Sequence, residues 1–222
     1  MRDSRFRSPA FDMARVLRGA LEACVPLSMW IFAMTRRHVS EIVGLMHIEP
    51  RRFADQRGFF SETYSAQKLS DLGFSRPFIQ DNHALSHGAG TVRGMHFQSP
   101  PFAQDKLVRV TRGAILDVAV DLRVGSPTYG DHAAVTLSAA NWEQLLVPVG
   151  FAHGYVTLEA ETEVLYKVTA PYAPDHDHGF FWADPTVAIA WPIAPEAALL
   201  SDKDRAAPLL ADIISPFVFG DG

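Results

Sequence analysis

The residue types that proton transfer needs stand together in one short block near the middle of the chain. Residues 93–98 (RGMHFQ) place an arginine and a histidine in an otherwise apolar run. Histidine changes charge near neutral pH, so it can both accept and return a proton. Regular strand alternation puts Arg93 and His96 on opposite faces, and a shared site requires a bulge or a close backbone approach at Gly94. His96 is therefore a candidate acid–base residue, and a structural or surface histidine is the alternative.

Metal binding is the second chemistry to consider, because a catalytic metal is often held by clustered histidines and needs three protein ligands in fixed geometry. Gln98 stands where a second histidine, one residue beyond His96, would complete the usual pair, and no carboxylate comes before Asp105. His176 and His178 have the required spacing, but they lie in a loop rich in proline and aspartate with no third ligand nearby. We therefore predict no metal site.

Two further blocks carry polar groups, of which those in residues 80–83 suit the recognition of sugars or base edges. Residues 57–62 (RGFFSE) place a cation and an anion around a glycine at a strand start, and a solvated surface pair is the alternative. Residues 80–83 (QDNH) offer amide and carboxylate groups in mid-strand, which a polar edge strand explains equally well. Neither block decides a function by itself.

The elements that position these blocks are short β-strands. From about Val43, β-branched and aromatic runs alternate with turn residues at intervals of roughly ten, which is typical of an antiparallel sandwich or barrel. Helical periodicity occurs only in residues 65–72 and, more weakly, 201–210. Predicted strands are residues 45–49, 59–64, 78–86, 91–97, 107–111, 114–122, 133–138, 144–147, 155–158, 163–169 and 187–191. The pattern predicts one all-β domain.

Strand parity sorts the polar residues of this domain. In residues 114–122 one face carries only aliphatic side chains, whereas the other carries Asp117 and Asp121. Burying two carboxylates without partners is costly, so this face is expected to meet solvent or a ligand cavity. Parity alone does not say which face is inside.

Composition limits the classes of protein to consider. The chain has 222 residues, with 20 Lys plus Arg and 25 Asp plus Glu, which gives a net charge of −5. An acidic balance argues against a nucleic-acid binder that neutralises phosphates, and no apolar run reaches the roughly 18 residues of a membrane span. The only cysteine, Cys24, excludes an internal disulfide and a zinc site built on several cysteines. We expect a soluble, cytoplasmic protein that binds neither nucleic acid nor membrane.

The first forty residues differ in pattern from the rest. Five arginines lie in residues 1–19, and an apolar stretch follows from 23 to 34. A signal peptide has this order, but here the apolar run starts late, Pro26 interrupts it and the cleavage site is poor. We predict that residues 1–40 are a dispensable leader, that Met34 is a plausible start, and that residues 41–222 form the β domain.

Taken in order, the polar blocks resemble one known family. From about Val43 to Leu210 the chain is similar to the dTDP-4-dehydrorhamnose 3,5-epimerases, which are metal-free members of the cupin superfamily. The motifs that carry the resemblance are residues 55–60 (DQRGFF), 80–82 (QDN), 93–98 (RGMHFQ), 104–110 (QDKLVRV), 117–123 (DVAVDLR), 126–130 (SPTYG), 148–154 (PVGFAHG), 165–167 (LYK) and 200–204 (LSDKD). The resemblance implies a cupin-type jelly-roll β-barrel with a few short peripheral helices.

The resemblance also implies a reaction and its catalytic residues. The family inverts C3 and C5 of a dTDP-linked 4-keto-6-deoxyhexose, converting dTDP-4-dehydro-6-deoxy-D-glucose to dTDP-4-dehydro-L-rhamnose. By this correspondence His96 is the base, and Asp204 is the carboxylate that orients it. Tyr166 is the acid on the opposite face of the ring, and Lys106 stabilises the enolate oxygen. No cofactor is implied, in keeping with the absence of a dinucleotide or phosphate-loop motif.

By the same correspondence, a second set of residues binds the substrate. Arg57 and Arg93 match contacts to pyrophosphate and sugar, where the guanidinium fork suits phosphate. Tyr172 matches an aromatic side chain that stacks on thymine, and Asp177 stands where the family often has Glu. Asp117 either supports His153 or is structural. The remaining matched contacts are Glu62, Gln80, Asn82, His153 and Lys203.

Assembly and the exact reaction stay open at this point. Family members are usually homodimers that exchange an N-terminal strand, so we expect a homodimer in which Arg57 and Glu62 serve the neighbouring site. The alternatives to the reaction are a mono-epimerase acting at C3 or C5 alone, a sugar-nucleotide-binding module without turnover, and a metal-dependent cupin oxygenase. The joint presence of a base and an acid argues against the binding module, and Gln98 argues against the oxygenase.

Overall fold

The computed structural model describes residues 34–37 and 42–220, which consist mainly of antiparallel strands. In chain order the strands are β1 (Met34–Arg37), β2 (Met46–Pro50), β3 (Phe53–Asp55), β4 (Gly58–Phe60), β5 (Gln80–Ser86), β6 (Val92–Gln98), β7 (Lys106–Arg112), β8 (Ala114–Asp121), β9 (His132–Ser138), β10 (Gln144–Val147), β11 (Phe151–Thr157), β12 (Thr162–Val168) and β13 (Asp177–Gly179). Two short α-helices accompany them in this part of the chain, α1 (Ala66–Asp71) and α2 (Asp202–Arg205).

Eleven of these strands form two sheets that enclose a common core. The six-stranded sheet has the order β1-β2-β10-β7-β12-β5, and the five-stranded sheet has the order β13-β6-β11-β8-β9. Val108 and Val164 of the first sheet pack in one buried cluster with Ile115 and Phe151 of the second. Neighbours in each sheet are mostly distant in sequence, as in a double-sheet jelly roll. The predicted fold is therefore confirmed.

The five-stranded sheet is buried on both faces, which explains why β8 is rich in aliphatic residues throughout. Its inner face meets the other sheet, and its outer face is covered by the C-terminal segment. There Val118 and Val120 pack against Phe180, Leu210 and Phe217. This sheet is therefore packed on both faces and forms one wall of the space between the two sheets.

Both carboxylates of β8 are fully buried rather than exposed to solvent. Asp121 pairs with Arg123 at 2.7 Å and accepts hydrogen bonds from Ser126 and Thr128. Although burial opposes ionisation, these donors hold the pKa of Asp121 below its usual value. Asp117 accepts from His153. Asp121 is thus satisfied by several donors, whereas Asp117 is bonded at Oδ1 only and its Oδ2 is buried without a hydrogen-bond partner.

Several predicted elements differ from the structure. Residues 187–191 form no strand; Val187, Ile189 and Trp191 instead pack as a loop against the outer face of the five-stranded sheet. Their alternation therefore reflects packing on a sheet and not pairing within one. The predicted helix at 201–210 is confined to α2, since Pro208 cannot continue it. In place of the predicted strand at 59–64 the structure has only β4. The short strands β1, β3 and β13 were not predicted.

Strand β1 extends the edge of the six-stranded sheet, because Met34–Arg37 pairs antiparallel with β2. The rest of the predicted leader, residues 1–33 and 38–40, lies outside the described residues, as does the signal-peptide alternative.

A chain that begins at Met34 is expected to fold and turn over like the full chain, because it keeps every described strand. Its Tm should stay within about 2 °C of the full chain's value, since no described packing is lost. A chain that begins at Ile42 lacks β1 and leaves β2 as an edge, so its Tm should be lower. Thermal unfolding and activity assays of the three chains check this, and an insoluble or inactive Met34 chain would show that residues 1–33 are structural.

Candidate active site

A cavity of about 520 Å³ opens between the two sheets. Its lining combines His96 and His153 from the five-stranded sheet with Lys106 and Tyr166 from the six-stranded sheet. A smaller hollow of about 190 Å³ adjoins it and shares His96, Lys106 and Tyr166. The two sheets therefore present different chemistry from opposite sides of one space.

A distortion of β6 brings Arg93 and His96 into the same cavity. Against β11, His96 is opposite His153 and Arg93 is opposite Tyr155, so β6 has one more residue than its partner over this interval. Gly94 lies within it at φ +137°, where a Cβ atom would come 2.5 Å from the Cα of Gly154. Only glycine fits such an approach. This is the bulge that a shared site requires.

His96 is held by a buried carboxylate from another part of the chain. Its Nε2 lies 2.5 Å from Oδ1 of Asp204, which is 4% exposed. Asp204 belongs to α2, whose first turn is capped by the Ser201 hydroxyl, 3.1 Å from the Asp204 amide. Burial disfavours the carboxylate, but the hydrogen bond and charge of His96, with help from Ser201 and Lys203, lower the pKa of Asp204 overall. The Asp204 carboxylate is therefore ionised beside the His96 ring.

The opposite wall carries a cation and a phenol. In the pairing of β7 with β12, Tyr166 is opposite Val108 and Lys106 is opposite Val168, so both side chains point to the same interior face. Burial lowers the pKa of Lys106 to about 8, against the opposing pull of Asp177 and Asp117. Burial also raises the pKa of Tyr166. At neutral pH the wall therefore offers a predominantly charged ammonium and a protonated hydroxyl.

A second histidine–aspartate pair lies beside the first. His153 is the strand partner of His96, and its Nε2 lies 2.7 Å from Oδ1 of Asp117. Both residues are buried, and His153 lines the cavity. Asp117 thus makes the contact that support of His153 requires.

A small polar network links the lining of the cavity to that of the smaller hollow. Oδ2 of Asp177 accepts from the Tyr172 hydroxyl at 3.0 Å and pairs with Nζ of Lys203 at 2.5 Å. The hydrogen bond and charge of Asp177 raise the pKa of Tyr172. Gln80 and Asn82 line the smaller hollow next to Tyr172, and their side chains bond each other at 2.8 Å.

Two predicted binding residues lie away from this cavity in their own chain. Arg57 is in the β3–β4 turn, where its side chain is 85% exposed and pairs with Asp55. Glu62 pairs with Lys68 at 2.5 Å and lines a separate hollow with Arg109 and Gln144, on the outer side of the six-stranded sheet. The other eleven predicted site residues line the cavity or the adjoining hollow.

Comparison with known proteins bears on this arrangement. Residues 39–212 match the family model described as dTDP-4-dehydrorhamnose 3,5-epimerase. The match spans well over half of the chain.

The chain belongs to this family.

Individual relatives agree with the family assignment. The dTDP-4-dehydrorhamnose 3,5-epimerase of Sinorhizobium fredii is 51% identical over 176 residues, which cover 78% of this chain and 88% of the relative. The crystal structure of the Bacillus anthracis dTDP-4-dehydrorhamnose 3,5-epimerase with TDP and PPi bound matches with a TM-score of 0.77 and 49% identity, covering 80% of this chain and 100% of that chain. The Legionella pneumophila dTDP-6-deoxy-D-glucose-3,5-epimerase in complex with dTDP-4-keto-L-rhamnose matches with a TM-score of 0.78 and 42% identity, covering 82% and 95%. The predicted family and epimerase activity are confirmed.

Sequence reasoning missed several residues of this epimerase's cavity. Tyr155 lines it and is 4% exposed, and strand parity with His153 was a signal that could have found it. Thr91, Leu199 and Leu200 also line the cavity. Thr91 begins the predicted strand 91–97, but its β-bridge with Leu199 is a long-range contact that no local pattern indicates.

Metal clusters and membrane spans are both absent from the described part of the chain. Among residues 34–37 and 42–220, no group of three or more His, Cys, Asp or Glu side chains could hold a metal ion. His176 and His178, which have ligand spacing, both contact the hydroxyl of Ser99. No helix within the same residues is long and apolar enough to span a membrane.

Proposed function

We propose that this epimerase inverts C3 and C5 of a dTDP-linked 4-keto-6-deoxyhexose, and that His96 and Tyr166 carry the two proton transfers. The observation that carries the proposal is their placement. His96, with Asp204, lines one sheet's wall of the cavity, and Tyr166 lines the other.

The chemistry explains why two walls are needed. The hydrogens at C3 and C5 are both α to the C4 ketone, so removing either one gives an enolate. Inversion requires that a proton leave from one face of the ring and that another arrive on the opposite face. A base and an acid on a single wall could only return the proton to the face it left.

Each side chain has a role that its surroundings support. Neutral His96 takes the proton, and the carboxylate of Asp204 stabilises the imidazolium that forms. Lys106 stabilises the negative oxygen at C4, where a preorganised charge in a cavity is most effective. Tyr166 donates its hydroxyl proton to the opposite face, and solvent then restores both groups. No step in this scheme calls for a cofactor.

We assign binding of the nucleotide half of the substrate to Arg93 and Tyr172. Arg93 provides a guanidinium for the pyrophosphate, and exposed Tyr172 provides a ring for the base. The relatives solved with TDP or dTDP-4-keto-L-rhamnose support this class of ligand. The remaining proposed contacts are Gln80, Asn82, His153, Asp177 and Lys203.

Proton exchange followed by NMR in deuterated water tests the proposed reaction. The enzyme is incubated with the dTDP-4-keto-6-deoxyglucose, and deuterium should appear at both C3 and C5 of the inverted product. Deuterium at one carbon would indicate a mono-epimerase instead. Binding without deuterium at either carbon would indicate a module without turnover.

We also propose that the enzyme is a homodimer in which Arg57 and Glu62 complete the neighbouring site. Arg57 is exposed on a hairpin whose Phe59 and Phe60 are 53% and 62% exposed, so this hairpin presents both apolar surface and charge. A homodimer places the same hairpin twice, once against each partner.

Mixing two inactive variants tests the exchange of residues between subunits. His96→Ala and Arg57→Ala are purified separately, then mixed under conditions that exchange subunits. If Arg57 serves the partner, mixed dimers have one intact site, and about a quarter of the wild-type activity should return. No return of activity in verified mixed dimers would place Arg57 in its own chain's site or outside any site.

We also propose that the enzyme is located in the cytoplasm. It rests on the nucleotide-linked substrate and on a chain whose single cysteine can form no internal disulfide. Cell fractionation with activity assays checks it, and activity in an extracytoplasmic fraction would contradict it.

A further inference from the structure

The segment that carries Tyr172 is held in an unusual way. Residues 170–173 belong to neither a helix nor a strand, and Tyr172, which lines the smaller hollow, is 60% exposed. An exposed ring on an irregular segment would ordinarily have many orientations. Here, two glutamine side chains bond the main chain on either side of it.

Gln98 brackets Tyr172 through its side-chain amide. Its nitrogen donates to the carbonyl of Pro171 at 3.0 Å, and its oxygen accepts from the amide of Ala173 at 2.8 Å. These are the two main-chain groups, flanking one residue, that a neighbouring β-strand would bond. The nitrogen also donates to the Phe102 carbonyl at 2.7 Å, and Gln98 is only 6% exposed.

Gln104 adds a second amide one residue earlier. Its nitrogen donates to the carbonyl of Ala170 at 2.7 Å, and the residue lines the smaller hollow beside Tyr172. Gln98 and Gln104 come from the end of β6 and the residues before β7, both part of the barrel. The barrel therefore extends its bonding pattern, through side chains, to a loop that has no strand of its own.

We propose that Gln98 and Gln104 are positioning residues that form an amide clamp, defined by these two side chains, and that the clamp presents Tyr172 to the nucleotide base. This inference rests on the proposed role of Tyr172 in binding the nucleotide. The clamp also explains why position 98 carries an amide side chain. The amide that stands where a metal ligand would be makes two of its three hydrogen bonds to the segment that carries Tyr172.

The clamp acts on binding rather than on proton transfer. A ring already fixed in its bound orientation does not have to be ordered when the nucleotide arrives, so affinity improves. In the proposed mechanism His96 and Tyr166 act at the reacting carbons, Lys106 acts at the C4 oxygen, and neither glutamine takes part. Loosening the clamp should therefore weaken nucleotide binding and leave the chemical step nearly unchanged.

A double-mutant cycle between Gln98 and Tyr172 tests the proposal. TDP binding is measured by calorimetry for wild type, Gln98→Met, Tyr172→Ala and the double variant, and kcat and KM are measured for each. Gln98→Met keeps the length of the side chain but removes all three of its side-chain hydrogen bonds. Kd and KM should rise about tenfold, and kcat should stay within about twofold of the wild-type value. In the Tyr172→Ala background the same change should raise Kd less than about twofold, because the ring that the clamp positions is gone. Gln67→Met, a surface glutamine on α1, is the matched control and should change nothing.

The outcomes separate the clamp from the role of Tyr172. If Tyr172→Ala leaves TDP binding unchanged, the proposed binding role of Tyr172 is wrong. If Tyr172→Ala weakens binding but Gln98→Met does not, or if the effect of Gln98→Met is undiminished without the ring, the clamp is wrong. A fall in kcat equal to the rise in Kd would also overturn it.

A milder variant covers the case in which Gln98→Met does not fold. Gln104→Met removes only one hydrogen bond, and it should raise Kd for TDP about threefold. Hydrogen exchange at the amides of residues 172 and 173 should accelerate in the same variant. Unchanged exchange and unchanged affinity together would overturn the clamp.

Discussion

Replacing His96 with alanine is expected to abolish proton exchange at both C3 and C5 while leaving nucleotide affinity nearly intact. His96 is the base proposed to remove both protons, and its ring faces the cavity with Asp204 behind it. Losing a general base typically costs about 10²–10⁴-fold in rate. The proposed nucleotide contacts are Arg93 and Tyr172, which the substitution leaves in place, so Kd for TDP should change less than about twofold.

Two variants sharpen this experiment. His83→Ala removes an exposed histidine that bonds Glu163 and does not line the cavity, so its exchange rates should match wild type. Asp204→Asn keeps the size of the side chain but removes the charge that stabilises the imidazolium, and it should lose most of the rate. Exchange at either carbon at the wild-type rate in His96→Ala would remove His96 from the mechanism at that carbon.

Replacing Tyr166 with phenylalanine is expected to separate exchange from inversion. The ring keeps its packing against the core cluster and loses only the hydroxyl. His96 can still remove a proton, exchange it with solvent and return it to the face it left. The variant should therefore place deuterium at C3 or C5 of the starting sugar while forming about 10²–10⁴-fold less inverted product.

The informative quantity is the ratio of exchange without inversion to inversion, measured by NMR in variant and wild type. Tyr129→Phe, a change at an exposed tyrosine in the turn after β8, is the matched control and should leave the ratio unchanged. An unaltered ratio in Tyr166→Phe would mean that another group donates the proton. Lys106 or a water would then be the better candidate.

Local pattern was sufficient for much of the barrel. Strand residues alternate or run apolar because the sheets are buried, and the helical periodicity of residues 65–72 predicts α1, whose first turn the Ser65 hydroxyl caps. The wrong strand at residues 187–191 has a physical cause. The apolar side chains of residues 187–191 bury themselves against a sheet without joining it, and burial alone does not distinguish these two outcomes.

Within the candidate site, the sequence by itself determined the chemical types and, through its ordered motifs, the family. A histidine, a lysine, a tyrosine and an aspartate stand at positions 96, 106, 166 and 204, each inside one of those motifs. Tertiary structure decided which of them meet, because Asp204 lies 108 residues from His96 and only the fold brings them to 2.5 Å.

Three further features depend on contacts that no local pattern encodes. The bulge at Gly94 turns Arg93 and His96 to one side, and it depends on close approach to Gly154 from another strand. The two opposed walls of the cavity, which inversion requires, come from the packing of one sheet against the other. The exposed position of Arg57, away from its own cavity, follows from the hairpin that carries it. Residue identity sets what each group can do, and long-range packing sets where it stands, because strands distant in sequence become neighbours only when the barrel closes.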